Sequence, residues 1–181
     1  MVVVDTNVPI AASERSEQAS AQCVLACQTA ILAVMQDRTR LALDEGGFIV
    51  TEYLQNLYPS GEHGVGDRFL KWVLTNWANP QRCDLVTIRP IEQDAGSFEE
   101  FPDKPALKSF DPSDRKFVAV ANAHTEKPPI LQGLDSKWWG WKDALASAGI
   151  TVDFLCPTEV ETTYEKKFGS ARRRPGRRRR G

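Results

Sequence analysis

Histidine is scarce in this chain, with only His63 and His124 among 181 residues. Neither stands in a spacing that suits a catalytic dyad or a zinc site. The four cysteines, Cys23, Cys27, Cys83 and Cys156, form no CxxC pair, which removes the common zinc and redox patterns. They read as reduced, core-packed thiols, because a free cysteine behaves as a small hydrophobe and a chain of this length needs no disulfide framework. Gly61 to Asp67 is glycine-rich but lacks the Lys-Ser/Thr of a phosphate-binding loop, so it reads as a flexible connection. Long hydrophobic runs are also missing. The apolar stretches in 23–35 and 130–134 fall short of the roughly 20 residues that cross a bilayer, and the opening Met1–Val4 is strand-like. The expectation is a soluble cytoplasmic protein without membrane contact.

What is present fits one domain. Apolar residues make up 41% of the sequence, enough for a single substantial core. A net charge of −1 hides an uneven distribution. Residues 1–165 carry 14 basic against 24 acidic residues, a net −10, and the remainder carries nine Lys and Arg and no acid. An acidic body is therefore followed by a basic tail, which suits attraction to nucleic-acid phosphates or loose pairing with the body itself.

Strand and helix signals alternate. Val2–Val4, Leu41–Leu43, Leu85–Ile88, Ile130–Leu134 and Ile150–Leu155 read as strands. Helices are predicted over 16–35, 48–57, 67–78, 112–123 and 142–148, with an irregular stretch over 89–110. This alternation predicts an α/β fold with a parallel sheet covered on both faces. From Thr158 the apolar periodicity fades, so the domain is expected to span 1–157 and a basic, disordered tail 158–181.

Ligands of open parallel sheets gather outside the carboxyl ends of the strands. Asp5 ends the first predicted strand and Asp135 follows the fourth, and a carboxylate there is poorly explained by packing alone. In Phe110-Asp111-Pro112-Ser113-Asp114, Asp111 suits a helix cap followed by proline, while Asp114 falls in the first turn on the face of Phe117, Val118 and Ala121. Glu52 is the fourth candidate, on the helix after the second strand, with Asp44 and Glu45 competing for its role. A set of oxygen-only ligands suits Mg²⁺ or Mn²⁺, and such ions activate water and stabilise the leaving oxygen of a phosphodiester. The segment Lys137-Trp138-Trp139-Gly140-Trp141-Lys142 suits core or interface packing, with room for one base-stacking tryptophan.

These residues, taken in order, resemble a known family. Val2-Val3-Val4-Asp5-Thr6-Asn7, Thr51-Glu52-Tyr53-Leu54-Gln55-Asn56-Leu57, Asp114-Arg115-Lys116-Phe117-Val118-Ala119-Val120-Ala121 and Leu131-Gln132-Gly133-Leu134-Asp135 resemble the four acid-bearing motifs of PIN-domain nucleases, including VapC-like toxins. The resemblance covers residues 1–156 and implies a three-layer fold with a central five-stranded parallel sheet flanked by helices. It further implies a metal-dependent endoribonuclease in which Asp5, Glu52, Asp114 and Asp135 are catalytic and metal ligands, with Thr6, Asn7 and Ser136 towards metal or substrate. RNA is the implied partner, with an antitoxin protein if the chain is the toxin of a toxin–antitoxin pair, and with room for a homodimer. The family often has Ser or Thr where this chain has Gly133. Two other classes are weighed against it. A haloacid-dehalogenase-type phosphohydrolase needs a second Asp where Asn7 stands. A catalytically inactive PIN-like RNA-binding or scaffold protein would keep the fold and dock through the tail and the tryptophans.

Overall fold

The computed structural model describes residues 1–169. The chain is mixed α/β, with parallel strands in two small sheets. β1 (Val3–Val4), β4 (Ile130–Gln132) and β5 (Val152–Phe154) form one sheet in the order β1-β4-β5, and β2 (Leu41–Asp44) pairs with β3 (Cys83–Val86) in the other. All the pairings are parallel, with Val3 opposite Ile130, Leu41 opposite Cys83 and Ile130 opposite Val152. A single parallel bridge, Val2 to Leu41, joins the two sheet edges. It is closed by Val2 N–H donating to the Arg40 carbonyl at 2.9 Å and Ala42 N–H to the Val2 carbonyl at 2.8 Å. β1 and β2 are buried along their whole length, as expected of strands covered on both faces.

The helices are α1 (Asn7–Ala12), α2 (Ala21–Met35), α3 (Phe48–Asn56), α4 (Val65–Asn76), α5 (Arg115–Ala123), α6 (Ser136–Ser147) and α7 (Pro157–Phe168). α1, α2 and α4 pack on one another, α5 lies against β1, β2 and α3, and α6 against α7. None of these helices is long and apolar enough to cross a membrane.

Several boundaries differ from the sequence reading, each for a local reason. α2 starts at Ala21 instead of Ser16 because the Ser20 hydroxyl accepts the Cys23 N–H at 3.1 Å, a standard N-cap. α6 starts six residues earlier than predicted because Asp135 caps it, accepting the Lys137 N–H at 2.9 Å. The tryptophan segment is thus helical, and Gly140 within it admits the Tyr164 ring, since a Cβ there would lie 2.7 Å from that ring. β3 lies two residues before its predicted position, and α4 likewise. α1 was not predicted at all.

The largest correction concerns the C-terminal part. Residues 157–168, all but the first of them assigned by sequence to a tail, form α7, with Pro157 in its first turn and Val160 fully buried. Val160, Tyr164 and Phe168 recur every four residues, a one-sided apolar stripe that the abundance of charge around it obscures. The Arg-rich remainder of the expected tail lies outside the described residues.

The cysteines also differ from expectation. Cys23 on α2 and Cys156 before α7 form a disulfide across 133 residues, with Cα atoms 5.1 Å apart. Cys27 and Cys83 are free and buried, and Cys27 Sγ lies 3.9 Å from Cys156 Sγ. The docking of α7, unseen in the sequence, brings Cys156 to α2. The expectation of four reduced thiols thus holds for Cys27 and Cys83 and is corrected for Cys23 and Cys156.

Candidate active site

β1 ends at Val4, and Asp5 follows it in the interior, 1% exposed, its N–H donating to the Leu131 carbonyl of the neighbouring strand at 3.0 Å. Its carboxylate is oriented by Asn7. Both the Asn7 N–H, at 2.9 Å, and its side-chain amide, at 2.8 Å, donate to Asp5 Oδ1. Burial pushes the Asp5 carboxyl up to about 8, with the nearby Asp114 and Glu52 charges adding to the rise and the Asn7 hydrogen bonds opposing it.

Asp114 ends a 3₁₀ turn, Pro112–Asp114, and leads directly into α5. Its carboxyl is raised to about 6, by burial first and then by Asp135, with Asp111 and Glu52 contributing less. The indole Nε1–H of Trp138 donates to Asp114 Oδ2 at 3.1 Å. Trp138 is fully buried, so this tryptophan is a support for an acid and offers no face for a base. Asp135, at the N-terminus of α6, is half-buried; its own N–H donates to Gln132 Oε1 at 3.3 Å. Glu52, on α3, is paired with the Lys116 ammonium of α5. Tyr53 beside it is buried and donates its hydroxyl to the Val4 carbonyl at 2.5 Å, tying α3 to the end of β1.

All four sequence-predicted acids therefore face one region, each delivered by a different element. Their arrangement is spread: among the described residues, no three carboxylates bring oxygens within 4.8 Å of one another, whereas Cys23, Cys27 and Cys156 do bring their sulfurs that close. With Cys23 and Cys156 joined as a disulfide, that sulfur group is not a free ligand set. The donor chemistry of the acids does fit a hard divalent ion. They are oxygen ligands, and two of them, Asp5 and Asp114, are protonated more readily than usual because burial, and then the neighbouring carboxylates, disfavour the charged form. Thr6, next to Asp5, has a buried hydroxyl with no hydrogen-bond partner among the described residues, a polar atom left over beside that set.

The competing acids separate cleanly. Asp44 is fully buried, and its two oxygens accept the Phe48 N–H at 2.6 Å and the Ile49 N–H at 2.8 Å. That is a helix cap, with α3's dipole behind it. Glu45 is exposed and accepts the Thr87 hydroxyl at 2.8 Å. Asp111 caps the 3₁₀ turn through the Ser113 N–H at 3.1 Å, and its bonds from Lys137 at 2.8 Å first, and then from the Ser113 hydroxyl at 2.8 Å, hold its carboxyl down at about 2. Ser136 is buried at the first position of α6. Gly133 has a steric reason: a Cβ there would sit 3.2 Å from the Asn7 carbonyl carbon and oxygen, pressing on the peptide that presents Asn7 to Asp5.

Three contributors escaped the sequence reading: Trp138, Lys116 and Gln132. The signal for Trp138 was its position three residues into the helix that Asp135 begins, which points it back towards the strand ends. Lys116 stands two residues after Asp114, which on a helix would put it on another face; the 3₁₀ turn preceding α5 and the length of the lysine bring it round to Glu52. A cavity of about 480 Å³ lies between the 91–108 segment and Arg115 and is lined by none of the four acids. Compared with protein-family models, curated proteins and solved structures, the chain matches none of them.

Proposed function

We propose that this chain is a PIN-like, metal-dependent endoribonuclease that hydrolyses RNA phosphodiester bonds at Asp5, Glu52, Asp114 and Asp135. The observation that carries the reading is the mutual electrostatic contact of acids drawn from four separate elements, with Asp5 raised to about 8 and Asp114 to about 6. A folded protein that buries carboxylates together without a cation bears a cost in stability, and such groupings concentrate at functional sites. The strand order β3-β2-β1-β4-β5, followed through the Val2–Leu41 bridge, supports a single five-stranded parallel sheet of the kind the family resemblance implies, with the acids at its carboxyl edge.

Mg²⁺ or Mn²⁺ bound here would supply a polarised water and a charge to stabilise the leaving oxygen. Asn7 holds Asp5 in one orientation and Trp138 does the same for Asp114, so the ligands are set before binding and little reorganisation accompanies it. The Gln132 side chain fixes the start of α6 and with it the direction of Asp135. Thr6 contributes a hydroxyl free to reach metal or phosphate. The basic C-terminal sequence offsets the body's −10 charge and attracts phosphates without reading sequence. In the toxin version of this reading, an antitoxin protein is the second partner.

The test is cleavage of a mixed pool of single-stranded and structured RNAs by the purified chain, with Mg²⁺ or Mn²⁺ and with chelator, beside Asp5→Asn and Asp114→Asn. Cutting that requires metal and is lost in both variants supports the reading. Metal-independent cutting, or full activity in either folded variant, defeats it.

A further inference from the structure

Among the described residues, Lys116 is the cation that makes an ion pair with one of the four acids, Glu52. It is 9% exposed, unusual for a lysine unless it is paired. Its ammonium meets Glu52 and also donates to the Ser113 carbonyl. The neighbouring cations are committed elsewhere. Arg115 turns to Asp94, Ser97 and the Phe110 and Lys108 carbonyls, and Lys137 pairs with Asp111 and acts on Asp135 and Asp114 only at longer range. The demand for positive charge is therefore met at Glu52 from within the chain. It is left open at Asp5 and Asp114, with the unpartnered Thr6 hydroxyl beside them.

We propose that Lys116 is the resident cation of this site: it holds Glu52 and takes the place that a second divalent ion would occupy there, so that the site loads a single ion on the Asp5, Asp114 and Asp135 side. This rests on the metal-site reading above and deepens it. Two cations cannot share the Glu52 carboxylate at contact distance without repelling each other strongly in a half-buried setting. An ion entering there would have to expel the ammonium from its hydrogen bond to Ser113 as well. Lys116 is thus a positioning residue, acting through Glu52. The same pairing keeps α3 and α5 in register at the carboxyl edge of the sheet, because Glu52 belongs to one and Lys116 to the other.

Mn²⁺ stoichiometry reads this directly, by the electron paramagnetic resonance of free Mn²⁺ during titration of the full chain, with circular dichroism to verify folding. The expected result is one ion per chain for the wild type and for Lys116→Arg, and two for Lys116→Met, in which Glu52 is released. Two ions on the wild type, or one on folded Lys116→Met, overturns the proposal. If Lys116→Met does not fold, the double variant Lys116→Met with Glu52→Gln removes both charges at once and is expected to bind one ion; two ions there overturns it. No ion on the wild type would instead remove the metal-site reading itself, which separates the two failures.

Discussion

Asp5 and Asp44 make an instructive pair. Each stands at the carboxyl end of a parallel strand, each is almost fully buried, and their strands are neighbours through the Val2–Leu41 bridge. Asp44 is satisfied: both of its oxygens take backbone N–H groups of α3, and Gly47, left-handed at φ 77°, lets the chain turn back to present them. Asp5 receives both its hydrogen bonds from Asn7 on a single oxygen and has Asp114 and Glu52 as neighbours. Burial at a strand end is thus common to both, and what separates a structural acid from a candidate ligand is whether the protein supplies enough positive partners. Unmet charge is the distinguishing mark.

The comparison can be broken most forcefully by the isosteric amides. Asp5→Asn should lower cleavage by about 10³-fold, the scale on which removing one charged group at a reacting centre acts. Asp44→Asn should leave cleavage per folded molecule nearly unchanged, as turnover measured at saturating metal would show. On stability the order reverses. Asp44→Asn turns an amide hydrogen towards backbone donors and should cost about 1–3 kcal/mol in denaturant unfolding.

Asp5→Asn should stabilise the metal-free protein, and the sign depends on pH. The Asp5 carboxyl is raised from 3.8 to about 8, so between those values the folded state keeps a proton that the unfolded state has released. Metal-free stability contributed by this group therefore falls as pH rises from about 4 to about 8. The amide variant escapes that loss. At pH 8 in chelator it should gain at least about 1 kcal/mol, seen as a melting-temperature rise of roughly 2–4 °C, and the gain should vanish near pH 4.

A smaller effect should come from Trp138→Phe, which deletes the hydrogen bond to Asp114 while keeping an aromatic ring against Phe110, whose centroid lies 5.0 Å away. Loss of one such bond is expected to cost about 0.5–1.5 kcal/mol, read as a several-fold fall in turnover per folded molecule, alongside a lowered melting temperature because Phe underfills the buried Trp138 site.

Much of this region was legible in the sequence. Asp5, Asp114 and Asp135 stood out because each follows an apolar run or opens a helix, and the structure brings them to one region with Glu52. Asp111 was separable as a cap because Pro112 follows it. What could not be read was pairing across distance. Asp44 competed with Glu52 until the N–H groups of Phe48 and Ile49 were seen to occupy it. The Lys116–Glu52 pair joins residues 64 positions apart, and no local pattern announces it. α7 was missed because its stripe of Val160, Tyr164 and Phe168 sits among Glu and Lys, and its docking depends on Gly140 and on Cys156, which lie on other segments. β3 was displaced because Leu85 to Ile88 look more strand-like than Cys83 and Asp84, whereas the register with Leu41 to Asp44 decides the pairing.

A divalent ion bound at this site should displace the proton that Asp5, its carboxyl raised to about 8, keeps at neutral pH. This is tested most directly by calorimetric titration of Mn²⁺ into the chain at pH 7 in two buffers of different ionisation enthalpy, which together give the number of protons released. The predicted result is Mn²⁺ binding with the release of about one proton, most of it from Asp5, and loss of both binding and release in Asp5→Asn. Binding without proton release, or undiminished binding in the folded variant, would contradict it.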